Sequence, residues 1–319
     1  MIEYPFKMKK NICIIGGTGF VGTAMVSRLV REGHHVKIFS RRPERCRHLA
    51  LLPDVKIVNV DYFASKVLER QFDGFDLVIN LVGILNPQGK ENFSKVHVDL
   101  SQRIAEAAES VKVKRLLHMS ALNAGNQASE YLISKGKAQD IVHAIKGVNV
   151  TSFSPSVIFG PKDNFINQFA TLISLPGATP LPGAQAQFAP IYIGDVVDAF
   201  VNSIDNPATY GKNYPLCGPK AYSLQEIVEY TAKVLGQKIM LIPLGWGLSS
   251  LMARVMDKIP GSPMSMDNFR SMKVASVCNE AMAPELGVQA RSLESTVPFY
   301  LGAQEKNTSY GRMRALSKR

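Results

Sequence analysis

Tyr131 and Lys135 stand four residues apart in the stretch SEYLISKGK, on one face of an expected helix. A free phenol, with a pKa of about 10, is a poor base at neutral pH. A neighbouring ammonium and the positive charge of a bound cofactor favour the phenolate and bring it into the range where it moves protons. Ser120 ends the strand expected just before and is placed to hold a substrate oxygen. Alone, a YxxxK pair is common, and the alternative is that Tyr131 is a packed, hydrogen-bonded helix residue. Its weight comes from what lies upstream.

Upstream is the run IIGGTGFVG, residues 14–22. It connects an expected strand to an expected helix, the context in which such a loop holds a dinucleotide pyrophosphate. Gly16 permits the tight turn, Gly19 lets backbone approach the phosphates, and Gly22 lets the helix lie close to the strand. Thr18, Phe20 and Val21 complete the loop and the first turn, whose N–H groups and dipole face the anion. Eighteen residues after Gly22, where a carboxylate would bond a ribose 2′-hydroxyl, the chain has Ser40, Arg41 and Arg42. Guanidinium forks pair with phosphate. The expected cofactor is therefore NADP(H), with NAD(H) second; the alternative is that both arginines are solvated loop charges. Asp61 and Tyr62 end the third strand, beside an adenine edge. Leu81, Val82 and Gly83 end the fourth, where close backbone approach to the cofactor is useful.

The elements that position these residues alternate. Expected strands NICIIG, HVKIFS, VKIVNVD, FDLVINLVG, RLLHMSA and VNVTSFSPSVIFG are separated by segments with helical spacing. One helix is expected across residues 91–111 and another across SEYLISKGKAQDIVHAIKG. This order predicts an α/β fold: a Rossmann-type doubly wound parallel sheet with a smaller C-terminal substrate lobe. The expected domains are residues 1–160 for the dinucleotide, 161–303 for the lobe interleaved with the sheet edge, and 304–319 as a basic, flexible tail. Residues 164–194 hold no charged residue and four prolines. They read either as an apolar lobe or lid for a ligand or partner, or as ordinary core.

Composition bounds the rest. The 319 residues are 46% hydrophobic and 20% charged, with a formal net charge of +11. Residues 1–47 carry ten Lys/Arg against three acids, which favours anionic partners. Aromatic interleaving of a nucleic-acid type is absent, so nucleic acid is excluded as the expected partner. Cys13, Cys46, Cys217 and Cys278 are far apart in sequence and predict free thiols in a reducing compartment. No metal-ligand spacing appears, and no metal is expected. The N-terminus runs into an apolar strand without a cleavage region, and Met8 is a plausible alternative start. No run of about twenty apolar residues spans a membrane. The expected location is cytoplasmic, peripheral to the inner membrane through the basic tail and the uncharged run 239–253.

The chain resembles extended or atypical short-chain dehydrogenases/reductases. The motifs are GGTGFVG, VNVD, NLVG, MSA, YLISK, SFSPSVIFGP and APIYIGDVVDAF, over nearly the whole length. Within them it is similar to the nucleotide-binding accessory subunits of respiratory complex I (alpha subcomplex subunit nine) and their bacterial relatives. The resemblance implies Tyr131 as acid/base, Lys135 on the nicotinamide ribose and Ser120 orienting substrate. It places Pro155, Ser156 and Val157 near the nicotinamide amide. It departs at His97, where active members carry an asparagine, at Ser154, where epimerases carry an arginine, and at Ala121, where a second small hydroxyl residue is usual. Two functions follow. One is an NADP(H)-dependent oxidoreductase on an apolar carbonyl or quinone-like substrate. The other is a non-catalytic nucleotide-binding accessory protein of a respiratory assembly. Sugar-nucleotide epimerase chemistry ranks third, because residues 164–194 offer no cation for a second pyrophosphate.

Overall fold

A computed structural model describes residues 8–301 apart from residues 65, 88, 90, 175, 176, 258 and 260–264. The expected basic tail and residues 1–7 lie outside the described residues. The chain divides into two compact units, residues 1–154 with 197–215 and 283–288, and residues 155–196 with 216–282 and 289–319.

The first unit is built on a seven-stranded sheet. Its strands are β1 (Asn11–Ile15), β2 (His35–Ser40), β3 (Val55–Asn59), β4 (Leu77–Asn80), β5 (Arg115–Met119), β6 (Asn149–Pro155) and the strand Lys212–Leu216. In space the order is Lys212–Leu216, β6, β5, β4, β1, β2, β3. All neighbours from β6 to β3 pair in parallel, with Ile14 opposite Ile38 on one side and Ile79 on the other. Largely apolar runs form β1 and β4 because both faces of a parallel sheet are covered, and their residues and those of β5 are buried almost throughout.

Helix α1 (Phe20–Arg31) follows β1 and buries Gly22, Met25, Val26 and Leu29. It ends in a Schellman motif: Gly33, at φ +84°, donates to the Val30 carbonyl and His34 to that of Leu29. Arg28 and Arg31 in its last turn complement the dipole. Helix α2 (Val67–Phe72) precedes β4. Residues 91–111 do not form one regular helix. A π-helical turn, Ser94–Asp99, leads into α3 (Leu100–Ser110). Helix α4 (Glu130–Ala144) is capped by the Ser129 hydroxyl, which accepts from the Leu132 N–H. Phe72, Val78, Leu100, Ile104, Leu116 and Val142 form the core under these helices, each buried side chain contributing about 1.5–3 kcal/mol.

In the second unit the uncharged segment contributes residues to the core. It forms the helix Ile166–Ile173 and the strands Ala178–Pro182, Gln187–Phe188 and Ile191–Tyr192. Ile166, Leu181, Phe188 and their neighbours pack with Tyr222, Ile227 and Val297. The run 239–253 supplies the strand Met240–Leu244, parallel to Ala178–Pro182, and part of the helix Trp246–Met256. Leu248, Leu251 and Val255 of that helix are exposed.

The expectation of four free thiols is corrected here. Cys217 and Cys278 form a disulfide, with Cα atoms 6.0 Å apart; Cys13 and Cys46 remain free and buried. Sequence separation concealed the pair because the main chain around Ala189 gathers both segments. Gly218 donates to the Ala189 carbonyl, and the Ala189 N–H donates to that of Ser276. The inference of a reducing compartment from cysteine usage loses its basis.

Candidate functional site

The glycine loop has the shape its residues require. A Cβ on Gly16 would lie 2.9 Å from the Leu81 carbonyl carbon and 3.0 Å from the Val82 nitrogen, so this turn packs against the chain leaving β4. A Cβ on Gly22 would meet the Gly16 oxygen at 2.3 Å. Gly19 is different: its nearest neighbour would be the Gly16 oxygen at 3.4 Å. Two glycines thus close the fold and one leaves room for a ligand. Gly19 is the N-cap of α1, with no side-chain cap and no acid in the first turn, so the turn that begins with Phe20 and Val21 faces an anion unscreened. This cradle fits a pyrophosphate.

At the carboxyl edge of β2 and β3 lies a cavity of about 360 Å³ lined by Arg41, Asn59, Asp61, Phe63 and Lys95. The Arg41 guanidinium lies 5.3 Å from the ring centre of Tyr62. It is also ion-paired with Glu91, which holds the Glu91 carboxyl below its usual range. Sequence reasoning missed this acid, because it stands fifty residues beyond Arg41 rather than at a strand end. The Ser40 hydroxyl is occupied by the Arg42 N–H at 3.1 Å. Asp61 accepts from the Phe63 N–H at 3.0 Å, which shapes the turn after β3.

Beyond β4 and β5 the structure brings Gly83, Ser120, Tyr131 and Lys135 into one neighbourhood. Lys135 is buried and its Nζ donates to the Met119 carbonyl at 3.1 Å. A Cβ on Gly83 would lie 3.1 Å from that Nζ, so glycine here makes space for the lysine. The Ser120 Oγ is buried and has no partner. Tyr131 packs edge-on against Phe93 and His97.

The electrostatics differ from the sequence expectation. Burial pushes the Tyr131 phenol up to about 12 and the Lys135 ammonium down to about 8. Lys135 directs its proton to Met119, and desolvation dominates at both groups.

His97 is inward-facing on the π-helical turn, a feature common at functional sites. Its Nε2 accepts from the Ile84 N–H at 3.1 Å, so Nδ1 carries the proton and donates to the Ser134 Oγ at 2.9 Å. Ser134 donates onward to the Tyr131 carbonyl at 2.9 Å. Burial, followed by the charge of Lys135, lowers His97 to about 3. His97 is thus a neutral brace between the loop after β4 and helix α4. His118 was also missed. It shares a β5 face with Ser120. Its Nδ1 accepts from Asn80 Nδ2 at 3.1 Å, while the Asn80 Oδ1 takes the Val82 N–H. The proton therefore sits on Nε2, which is buried without a partner. Nothing in a single sequence marks a strand histidine of this kind.

Pro155, Ser156 and Val157 begin the second unit. The Ser156 hydroxyl donates to the Ser276 carbonyl at 2.7 Å, and the Val157 carbonyl accepts from Ile191. Ser154 reaches Asn213 at 2.8 Å. Among the described residues no group of side chains could hold a metal, and no helix is long and apolar enough to cross a membrane.

A parallel sheet with this strand order, a glycine cradle after β1 and an open α1 N-terminus defines a nicotinamide-dinucleotide-binding Rossmann unit. Over residues 12–217 the sequence matches the NAD dependent epimerase/dehydratase family, and the chain belongs to it. It is similar to the mitochondrial NADH dehydrogenase [ubiquinone] 1 alpha subcomplex subunit 9 of Rattus norvegicus, 28% identical over 88% of this chain and 77% of that one. It is also similar to ceramide reductase of Caulobacter vibrioides, 25% identical over 73% of each chain. Among solved structures, MoeE5 in complex with UDP-glucose and NAD shares the fold, with a TM-score of 0.70 at 18% identity, over 94% of this chain and 99% of that one.

Proposed function

We propose that the chain is an NADP(H)-dependent oxidoreductase that reduces an apolar carbonyl or quinone-like substrate. The observation that carries this reading is the buried, unpartnered Ser120 hydroxyl beside Lys135. A hydroxyl buried only for packing would find an acceptor; this one is left for a substrate oxygen. The reduced nicotinamide supplies a hydride when bound. Tyr131, with its proton held to about pH 12, is the donor to the carbonyl oxygen. Ser120 orients that oxygen, and Lys135 holds the cofactor ribose. Ceramide reductase, named for a lipid substrate, supports an apolar ligand.

Tyr131→Phe tests this. Turnover of quinones or apolar ketones is expected to fall at least about a hundredfold, with NADPH still bound. An unchanged rate overturns the reading.

The second reading is a nucleotide-loaded accessory subunit of a respiratory assembly. It is supported by the similarity to the subunit 9 relatives and by the exposed Leu248, Leu251 and Val255. Copurified dinucleotide that neither exchanges nor turns over with any carbonyl or quinone favours it.

The cofactor preference turns on Arg41. Glu91 holds the guanidinium that would grip a 2′-phosphate. Glu91→Gln is expected to strengthen NADPH binding by about threefold to tenfold and to leave NADH nearly unchanged. Arg41→Asp should weaken NADPH far more than NADH. Titrations with both nucleotides check the pair, and equal effects on the two refute the preference.

A further inference from the structure

A second cavity, of about 410 Å³, opens at the opposite, amino-terminal edge of the sheet, where β1, β4, β5 and β6 begin. Its lining includes five cations, Lys9, Lys10, Lys112, Lys114 and Arg115, against two acids, Asp76 and Asp205. Lys10 pairs with Asp205 at 2.7 Å and Lys114 with Asp76 at 3.5 Å. That consumes both carboxylates. Lys9 and Lys112 are exposed at the rim.

Arg115 is the unusual member. It is 4% exposed, yet every hydrogen-bond partner shown for it is neutral. Its Nη1 donates to the Asn149 carbonyl, and its Nη2 to Thr151 Oγ1, the Ser203 carbonyl and Thr209 Oγ1. Its Nε is buried without a partner. Tyr210, which also lines the cavity, stacks on the guanidinium at 4.4 Å. A buried cation held by dipoles, whose acidic neighbour Asp205 is also paired with Lys10, is costly, and supplying an anion relieves that cost. Burial accordingly lowers Arg115 to about 10. The cation lies at the base of a cavity whose rim adds Lys9 and Lys112, which form no ion pair among the described residues.

We propose that this cavity binds a small phosphate-bearing anion, with Arg115 as the buried counter-charge and Lys9 and Lys112 closing over it from the rim. The volume suits a group up to about the size of a nucleoside monophosphate. The site lies at the far end of the strands from the glycine cradle. It is independent of the proposed oxidoreductase reaction.

The test uses the full chain and inorganic pyrophosphate, titrated calorimetrically at low salt with and without saturating NADPH. Binding is expected in both conditions, and Lys9→Glu with Lys112→Glu should weaken it about tenfold. Those residues are exposed, so the fold survives the change. Phosphatidylglycerol vesicles separate the two sources of phosphate. Binding to vesicles that the double reversal weakens, with no pyrophosphate binding, assigns the site to a lipid headgroup; pyrophosphate binding assigns it to a free phosphate. The proposal is overturned if neither probe binds, if the double reversal changes neither, or if NADPH abolishes pyrophosphate binding.

Discussion

Lys135→Met is expected to raise the thermal stability of the dinucleotide-free chain while removing its turnover. The ammonium is buried, with its Nζ on one neutral carbonyl, and burial lowers it to about 8. Methionine fills a similar volume without a charge to desolvate. The gain should be on the order of 2 kcal/mol at pH 7, a rise of several degrees in Tm. Dinucleotide binding and reduction should fail, since the cation proposed to hold the cofactor ribose is gone. The pH dependence distinguishes this from simple repacking. Between about pH 8 and the ordinary lysine value of 10.5, Lys135 is neutral in the folded chain and protonated in the unfolded one. The unfolded state binds more protons there, so wild-type stability gains a contribution that rises with pH across that window. The variant lacks that contribution. Denaturant melts of both proteins at pH 7 and pH 10 measure the difference. A variant no more stable than wild type at pH 7 would show that Lys135 is compensated in a way its contacts do not reveal.

Gly22→Ala should cost both stability and cofactor. The new methyl would fall 2.3 Å from the Gly16 oxygen and 2.6 Å from two backbone atoms of Gly17. None of these is the end of a flexible side chain, so α1 must move off the loop. Overpacking of this kind costs about 1–3 kcal/mol. The N–H groups that face the pyrophosphate move with the helix, and dinucleotide affinity should fall about thirtyfold. Gly19→Ala is the informative control. Its backbone is extended, at φ −78° and ψ −177°, and its methyl would meet protein only at 3.4 Å. It should melt like wild type and still bind dinucleotide poorly, because it occupies the space left for phosphate. Equal melting temperatures for Gly22→Ala and wild type would contradict the packing argument.

Much of the first unit was legible because its signals are local. Continuous apolar runs separated by amphipathic segments define parallel strands and crossovers, whatever surrounds them. The glycine loop announces itself because only a residue without a Cβ tolerates those contacts. The order Ser120, Tyr131, Lys135 could be read for the same reason, since strand ends and i,i+4 spacing are properties of a short stretch of chain. The break of residues 91–111 into a π-helical turn was not legible, as the choice depends on seating His97 between Ile84 and Ser134.

The amino-acid sequence by itself determined the fold class and the dinucleotide cradle, and it named the residues proposed for a reduction site. Only the tertiary structure decided the charge state and pairing of those residues. Arg41 meets Glu91, burial pushes Tyr131 to a higher pKa, and Cys217 finds Cys278. The reason is physical: propensity and spacing act over a few residues, whereas desolvation, ion pairing and disulfide formation depend on which distant segments the folded chain brings within a few ångströms.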